Sequence, residues 1–212
     1  MEFPKILVIN LGERTDRWKH IQDEFEDWPE PLHRISAVKR TIGWKGCTLS
    51  HKKAVQYAKD HVFPWVLVLE DDCQLEKKAL HRFQEILPIL WEQRSDWDIF
   101  MGGISYTGDH SFDHGRVIQD HPSLLQIKGY AAHFCLIHDG TYDKILTMKM
   151  EKIDVFYADH LRLWTTLPYL AIQTPSHSNI EKTYTNYSES FGASTRRFKK
   201  TLTKWRKTHK HS

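Results

Sequence analysis

The chain has 212 residues, of which 40% are hydrophobic and 12% aromatic, so it can bury a core and is not globally disordered. Its net charge is +3, but residues 195–212 contain eight of the 30 Lys and Arg residues and no acid. Residues 1–194 therefore carry 22 bases against 27 acids, which excludes a chain that binds nucleic acid over its whole surface. We predict one domain over residues 1–194, followed by a basic helix or tail over 195–212 that can also lead to a further domain.

Cysteine usage and hydropathy indicate the compartment. The cysteines Cys47, Cys73 and Cys135 are odd in number and contain no CxxC pair, which disfavours a disulfide framework and a cysteine-based zinc site. The sequence shows no signal peptide and no apolar run of membrane-spanning length. We therefore expect a cytoplasmic protein, and we expect it to be a monomer.

The first half of the chain alternates predicted strands and helices. The run KILVINL is apolar and rich in β-branched residues, as in a buried strand, and WVLVLED repeats that character. Apolar residues at helical spacing fill the segments between them. The predicted strands cover 5–11, 33–38 and 65–71, and the predicted helices cover 13–28 and 50–61, with Ser50 as the N-cap of the second.

The second half has a mixed pattern. Residues 104–123 are rich in Gly, Asp, His and Ser and are predicted to form a loop. The other predicted elements are helices over 77–94, 140–149 and 155–166, and strands over 97–103, 124–128, 131–138 and 169–172. The pattern as a whole predicts an α/β sandwich with a mainly parallel central sheet and some antiparallel strands.

Polar residues follow several of the predicted strands, where an open α/β sheet collects its ligands. The residues that we expect to share this crevice are Asn10, Leu11 and Arg14 after the first strand, Glu70, Asp71 and Asp72 after the third, and Gly102 and Gly103 after the fourth.

Three consecutive acids, Glu70 to Asp72, end a buried strand and should repel one another. A hard divalent cation such as Mg²⁺ or Mn²⁺ would offset that repulsion, because it prefers carboxylate oxygens. We assign Asp72 to the metal, and Glu70 or Asp71 to a metal-bound water or a ribose hydroxyl. The alternative is that Asp71 or Asp72 caps the next helix.

Other residues are candidates for anion binding or metal binding, each with a plainer alternative. Arg14 and Arg17 follow the first strand and can clamp a phosphate, or they are surface charges of a first helical turn. Ser50 opens a predicted helix that can face an anion, or it is a simple N-cap. Gly102 and Gly103 allow a ligand to approach the backbone, or they form a tight turn. His177, after the last predicted strand, can reach the crevice, although a lone histidine is more often not a ligand.

The segments VINLGERTDRW, GCTLSH, VLVLEDD, DWDIFMGG and YADHLRLW occur in this order, and together they resemble glycosyltransferase family 25 over roughly residues 4–180. The resemblance implies a GT-A, Rossmann-like three-layer α/β sandwich, Mn²⁺ or Mg²⁺, inversion at the anomeric carbon, and a nucleotide-sugar donor, usually a UDP-sugar. It also implies a hydroxyl of a glycan, lipid or protein as acceptor.

The resemblance assigns roles to individual residues. Asp72 would ligate the metal within the acidic motif that includes Glu70, and His177 would be a further ligand. The nucleotide would lie against Asn10, Leu11, Arg14 and Arg17. Asp159 would be the base that deprotonates the acceptor, with Asp154 as the second choice.

Two other functions remain open from the residues, together with the role of the tail. A nucleotidyltransferase also uses strand-end acids and Mg²⁺, although the chain has no P-loop. A non-catalytic sugar- or nucleotide-binding module could stack a sugar on the aromatics Trp44, Tyr106 and Tyr130, although core packing is their default explanation. Residues 195–212 show apolar residues at helical spacing among the cations. They can contact an anionic membrane, pack on the domain, or form a linker.

Overall fold

The computed structural model describes residues 2–105, 116–118, 121–177 and 183–208, with the side chains of residues 116, 122, 176 and 177 excepted. The helices are α1 (Thr15–Glu24), α2 (Gly43–Asp60), α3 (Ala79–Glu92), α4 (Asp139–Thr147), α5 (Ile153–His160) and α6 (Ser188–Thr208). The strands are β1 (Lys5–Asn10), β2 (Leu32–Ser36), β3 (Trp65–Glu70), β4 (Cys73–Leu75), β5 (Ile99–Met101), β6 (Arg116–Ile118), β7 (His121–Ile127), β8 (Phe134–His138), β9 (Leu163–Thr166), β10 (Ala171–Gln173), β11 (Ser176–His177) and β12 (Tyr184–Thr185).

The main sheet has eight strands in the order β2-β1-β3-β8-β5-β9-β7-β6. Strands β7 and β8 run opposite to the other six, so the sheet is mixed, as the sequence predicts. Two short pairs lie outside it, β4 with β10 and β11 with β12. The β4–β10 pair brings a late segment of the chain beside the acids that follow β3.

Alternating side chains on the strands create two cores, one on each face of the sheet. On β1, Ile6 and Val8 pack with α1 and α3, whereas Leu7 and Ile9 pack with α2, α4, α5 and α6. The result is the predicted three-layer α/β sandwich. Glu70 follows Val68 at a spacing of two, so its side chain faces the layer that contains α2.

Helix α2 begins earlier than the sequence predicts. It starts at Gly43 rather than at Ser50, so Ser50 lies inside the helix and is not its N-cap. The Ser50 hydroxyl donates to the carbonyl of Gly46 at 2.7 Å and accepts the Val38 N–H at 2.7 Å. Gly46 is needed for close packing, because a Cβ at this position would come within 2.4 Å of the Val38 carbonyl oxygen.

Two further predictions about the second half are wrong. The helix predicted over 155–166 ends at His160, and Leu163–Thr166 instead form β9 between β5 and β7. Part of the loop predicted over 104–123 is strand, because β6 and the start of β7 fall within it. In both places the β-branched residues near the end of the segment pair with a neighbouring strand, which overrides the local pattern.

Helix α6 crosses the predicted boundary at residue 194 and continues into the basic tail. Its buried residues Phe191, Phe198 and Leu202 join the same core as α2. None of the helices that the structure describes is long and apolar enough to cross a membrane.

Candidate active site at the end of β3

Asp71 accepts hydrogen bonds on both of its carboxylate oxygens. It is 7% exposed. One oxygen accepts the Asn10 side-chain amide at 2.6 Å, and the other accepts Arg17 Nη1 at 2.8 Å. Burial raises the pKa of Asp71, although Arg17 and Asn10 act in the opposite direction. The arrangement ties the end of β1 and helix α1 to the acids, and Arg17 is the positive charge that holds them there.

Asp72 is less well compensated than its neighbour. Its Oδ2 contacts Arg17 Nη1 at 3.3 Å, and its Oδ1 accepts the Gln173 amide at the long distance of 3.5 Å. Burial and the nearby charge of Glu70 raise the pKa of Asp72 to about 7, although Arg17 opposes this. The side chain keeps 17% of its exposure, so it borders the solvent. Asp72 is therefore a carboxylate with one weakly bonded oxygen at an accessible edge.

Glu70 faces the layer of α2, whereas Asp72 contacts Arg17 and Gln173. Strict alternation would place Glu70 and Asp72 on the same side, but β3 ends at Glu70, so Asp71 and Asp72 lie in the turn beyond the strand. Its Oε1 accepts the Cys47 thiol at 3.4 Å and His51 Nε2 at 3.2 Å. Burial opposes ionisation of Glu70, but the hydrogen bond and charge of His51 lower its pKa on balance. Burial and the charge of Glu70 raise the pKa of Cys47 well above the usual range, so the thiol keeps its proton.

These three side chains form a group with the spacing of a metal site. One ligand atom from each of Cys47, His51 and Glu70 lies within 4.8 Å of the others. The other ring nitrogen of His51, Nδ1, contacts the Tyr157 hydroxyl at 3.4 Å. The structure thus brings a carboxylate of the predicted motif together with a thiol and an imidazole that the sequence analysis did not assign to it.

His133 lies on the neighbouring strand, opposite Glu70. Its carbonyl accepts the Glu70 N–H at 3.1 Å. Its imidazole is fully buried, and neither ring nitrogen has a hydrogen-bond partner of good geometry among the described residues, although a weak interaction with the Ala171 backbone acts on its pKa. Burial lowers the pKa of His133 to about 4, so the ring is neutral at pH 7. A buried imidazole without a well-formed hydrogen bond costs folding free energy, and this one stands beside the acids.

The predicted nucleotide-binding residues at the end of β1 are held by a residue that the sequence analysis missed. Arg34 on β2 donates to the side-chain oxygen of Asn10 and, at 3.3 Å in each case, to the carbonyls of Leu11 and Gly12. The same guanidinium lies 5.1 Å above the Trp18 ring. Arg34 therefore fixes the turn that follows β1.

Three other predicted site residues, Arg14, Gly102 and Gly103, have structural contacts of their own. Arg14 pairs with Asp16 at 3.0 Å at the start of α1. Gly102 and Gly103 bring chain segments together: a Cβ on Gly102 would meet the Phe134 ring, and one on Gly103 would come within 2.1 Å of the Ala171 carbonyl. That close packing explains both glycines without a ligand.

The two predicted bases occupy opposite ends of α5. Asp154 is in the first turn, and burial together with the charge of Glu70 raises its pKa. Asp159 is exposed in the last turn. The backbone of His177 lies in β11, but its side chain is outside the described residues.

The missed residues had one usable signal. Cys47 and His51 are four residues apart, a spacing that places two side chains on one side of a helix, but the sequence analysis began the helix too late to use it. Arg34 and His133 gave no local signal, because their contacts depend on the pairing of β2 with β1 and of β8 with β3.

Comparison with known proteins supports the class of enzyme. A family described as "Glycosyltransferase family 25 (LPS biosynthesis protein)" matches residues 39–111, which include α2, β3 and the three acids. The match confirms both the resemblance predicted from the motifs and the predicted enzyme class, a glycosyltransferase. No curated protein matches the chain in sequence.

Solved structures show the fold. A glycosyltransferase involved in the glycosylation of the major capsid of PBCV-1 has a TM-score of 0.52 at 10% identity, over 92% of this chain and all of that one (100%). Two others are A197 from STIV, with a TM-score of 0.49 at 12% identity over 81% and 86% of the two chains, and HddC from Yersinia pseudotuberculosis, with 0.41 at 10% over 92% and 100%. The first likeness confirms the predicted fold class.

Proposed function

We propose that this chain transfers a sugar from a nucleotide-sugar donor, a UDP-sugar, to a hydroxyl of a glycan, lipid or protein acceptor, with inversion at the anomeric carbon. The observation that carries the proposal is the family match over residues 39–111, whose acids converge with Asn10 and Arg17 at the carboxyl end of β3. Residues 1–194 would form the catalytic domain, and the basic stretch 195–212 would extend it.

Asp72 is the proposed ligand for Mn²⁺ or Mg²⁺. Its oxygen Oδ1 has only a weak contact with Gln173 among the described residues, and its raised pKa marks a carboxylate that gains from a nearby cation. An oxygen ligand of this kind suits a hard cation, so the residues fit the metal. When bound, the cation would stabilise the negative charge of the departing diphosphate. His177 remains a proposed further ligand.

The donor would lie along the turn that follows β1. Asn10 and Leu11 are fixed there by Arg34 and Asp71, so the backbone of the turn is organised before a ligand binds. Arg17 is engaged with Asp71 and Asp72, which supports a role in holding the acids ionised rather than in clamping a phosphate alone. Arg14 at the start of α1 is the more accessible candidate for a nucleotide contact.

We assign the acceptor base to Asp154, with Asp159 as the alternative. Asp154 lies close enough to Glu70 for that charge to raise its pKa, and a raised pKa improves a general base. The base would take the proton of the acceptor hydroxyl as that oxygen attacks the anomeric carbon. The contacts with His51 and Cys47 would hold the Glu70 carboxylate in a fixed position.

The test is transfer from a panel of nucleotide sugars in Mn²⁺ or Mg²⁺, read as release of nucleoside diphosphate. Asp154→Asn should lower turnover by roughly a hundredfold or more and leave donor affinity nearly unchanged, as expected for loss of a general base. Asp159→Asn is the matched control on the same helix and should transfer sugar at close to the wild-type rate.

Three outcomes would count against the proposal. Release of pyrophosphate from nucleoside triphosphates would indicate a nucleotidyltransferase, and donor binding without any turnover would indicate a binding module. Loss of turnover in Asp159→Asn but not in Asp154→Asn would move the base to the far end of α5.

A further inference from the structure

A group of metal-binding side chains lies on the α2 face of the sheet, on the opposite side of β3 from the contacts of Asp72. Cys47 and His51 are four residues apart on α2, so they project from one side of the helix. Glu70 meets them from the end of β3, and the three ligand atoms lie within 4.8 Å of one another. We call Cys47, His51 and Glu70 the α2 cluster.

The two helix side chains converge on a single point. The Cys47 thiol lies 3.4 Å and His51 Nε2 lies 3.2 Å from the same oxygen, Glu70 Oε1. Two protons therefore hold these three groups together. A divalent cation can replace both protons at the centre of the group, because it attracts the same three atoms.

His133 supplies a second, independent observation. It stands directly opposite Glu70 across the β3–β8 pairing, and directly opposite residues project from the same face of a sheet. It is fully buried, and among the described residues neither of its ring nitrogens has a hydrogen-bond partner of good geometry, although a weak interaction with the Ala171 backbone acts on its pKa. A buried imidazole that can offer a fourth ligand atom thus borders the layer in which the α2 cluster lies.

We propose that the α2 cluster is a site for a borderline divalent cation of the Zn²⁺ type, with His133 as the candidate fourth ligand. A thiolate and an imidazole select zinc over magnesium, calcium or manganese, whereas Asp72 offers oxygen alone. His51 would bind through Nε2, so its ring proton moves from Nε2 to Nδ1 and then donates to the Tyr157 hydroxyl 3.4 Å away. Cys47 would lose its thiol proton to solvent, so each cation bound releases one proton.

The site has a consequence for the enzyme. Glu70 belongs to the acidic motif, and a zinc ion in the α2 cluster would fix it on the α2 side. The site itself does not depend on the proposed function, because its three ligands are present whether or not the chain transfers sugar.

The experiment is titration of the whole chain with Co²⁺ under reducing conditions, monitored by absorption. Co²⁺ occupies zinc sites, and a thiolate ligand gives a charge-transfer band in the near ultraviolet that oxygen ligands do not give. We expect the band to appear with one equivalent of Co²⁺ and to disappear when Zn²⁺ displaces it. Cys47→Ser should abolish the band, whereas the matched variant Cys135→Ser, which removes a buried thiol outside the α2 cluster, should keep it.

Asp72→Asn separates this site from the proposed donor metal, and it should leave the cobalt band intact. Absence of the band in the wild type, or its survival in Cys47→Ser, would overturn the proposal. Loss of the band in a folded Asp72→Asn protein, checked by circular dichroism, would overturn the separation of the two sites. A failure of sugar transfer in the same preparations would leave the cobalt result unaffected.

Discussion

The buried Asp98 and the partly exposed Asp72 lie at opposite ends of the sheet strands, and their surroundings shift their pKa values in opposite directions. Asp98 precedes β5 and accepts the backbone N–H and guanidinium of Arg162 together with the Lys144 ammonium, at distances from 2.8 to 3.2 Å. Those contacts outweigh burial and hold its pKa far below the usual range. Asp72 shares Arg17 with Asp71, and burial raises its pKa to about 7.

The opposite pKa shifts of Asp98 and Asp72 indicate a stabilising role for Asp98 and a functional role for Asp72. Asp98 has more donors than one carboxylate needs, and the network joins β5 to α4 and to the segment before β9. Asp72 is ionised only at the expense of stability, which is tolerated where a ligand is to supply the missing charge. We expect substitutions at Asp98 to affect folding and substitutions at Asp72 to affect turnover.

The largest expected effect is on catalysis at Asp72. Asp72→Asn should lower sugar transfer by roughly a thousandfold, or about 4 kcal/mol of transition-state stabilisation, because it removes the proposed metal ligand. Steady-state rates with saturating Mn²⁺ measure the effect. Asp23→Asn, which removes an exposed acid on α1, is the control, and an equal loss in both variants would contradict the comparison.

The second-largest expected effect is a loss of folding stability on substitution of Asp98. Asp98→Asn should lower the free energy of unfolding by about 3 kcal/mol, since it breaks a buried ion-pair network. Because the native pKa of Asp98 is lowered, its contribution is present above the unfolded value of about 4 and is lost as the pH falls below it. Urea unfolding measured from about pH 3 to about pH 7, in steps of about one pH unit, tests both the size of the stability loss and its dependence on pH. The exposed neighbour Asp96 provides the control Asp96→Asn, which should be nearly neutral.

Asp72 should show the reverse dependence on pH. Its native pKa is raised, so the stability it contributes is complete below about pH 4 and is lost as the pH rises towards about 7. In chelator, Asp72→Asn should therefore be as stable as the wild type at low pH and more stable by about 4 kcal/mol at high pH. Thermal or urea unfolding with and without Mg²⁺ measures this, and the wild type should recover stability when the cation is added. A flat difference across the pH range would refute the assignment.

The smallest effect sharpens the account of Asp98. Lys144 is about half exposed, at 50% of its side chain, so its ion pair is weakened by solvent. Lys144→Met should cost only about 0.5 kcal/mol, because Arg162 still satisfies the carboxylate. A double-mutant cycle with Asp98→Asn measures the coupling of the two residues. A coupling as large as the whole effect of Asp98→Asn would mean that Lys144, and not Arg162, dominates the network.

The sequence predicted those features that depend on local patterns. Apolar runs located β1 and β3, and the acids after β3 indicated the active-site end of the sheet. The errors arose where pairing decided the outcome. Residues 163–166 follow a helical pattern but bond to β5 and β7, and the start of α2 was missed because glycines at its N-terminal end resemble a loop.

The candidate site was predictable only in part, for the same reason. Glu70 to Asp72 are adjacent in sequence, so their clustering is visible without a structure. Arg17 on α1 and His133 beside β8 reach the acids, and Arg34 on β2 reaches the neighbouring Asn10; no spacing along the chain encodes those contacts. The absence of a CxxC pair argued against a cysteine metal site, yet Cys47 has its candidate co-ligands on the next turn of a helix and at the end of a strand.

The position of β3 between β1 and β8 has a consequence for folding of the chain during its synthesis. Strand β3 is made early, but its partner β8 is separated from it in the chain by α3 and by β4 to β7, so one apolar edge of β3 stays unpaired during synthesis. Gln173 reaches Asp72 later still, after β10 has paired with β4. A nascent chain that stalled before residue 134 would expose the unpaired edge of β3, on which other chains could aggregate. The site around the acids would be complete only after the segment that contains Gln173 has been made.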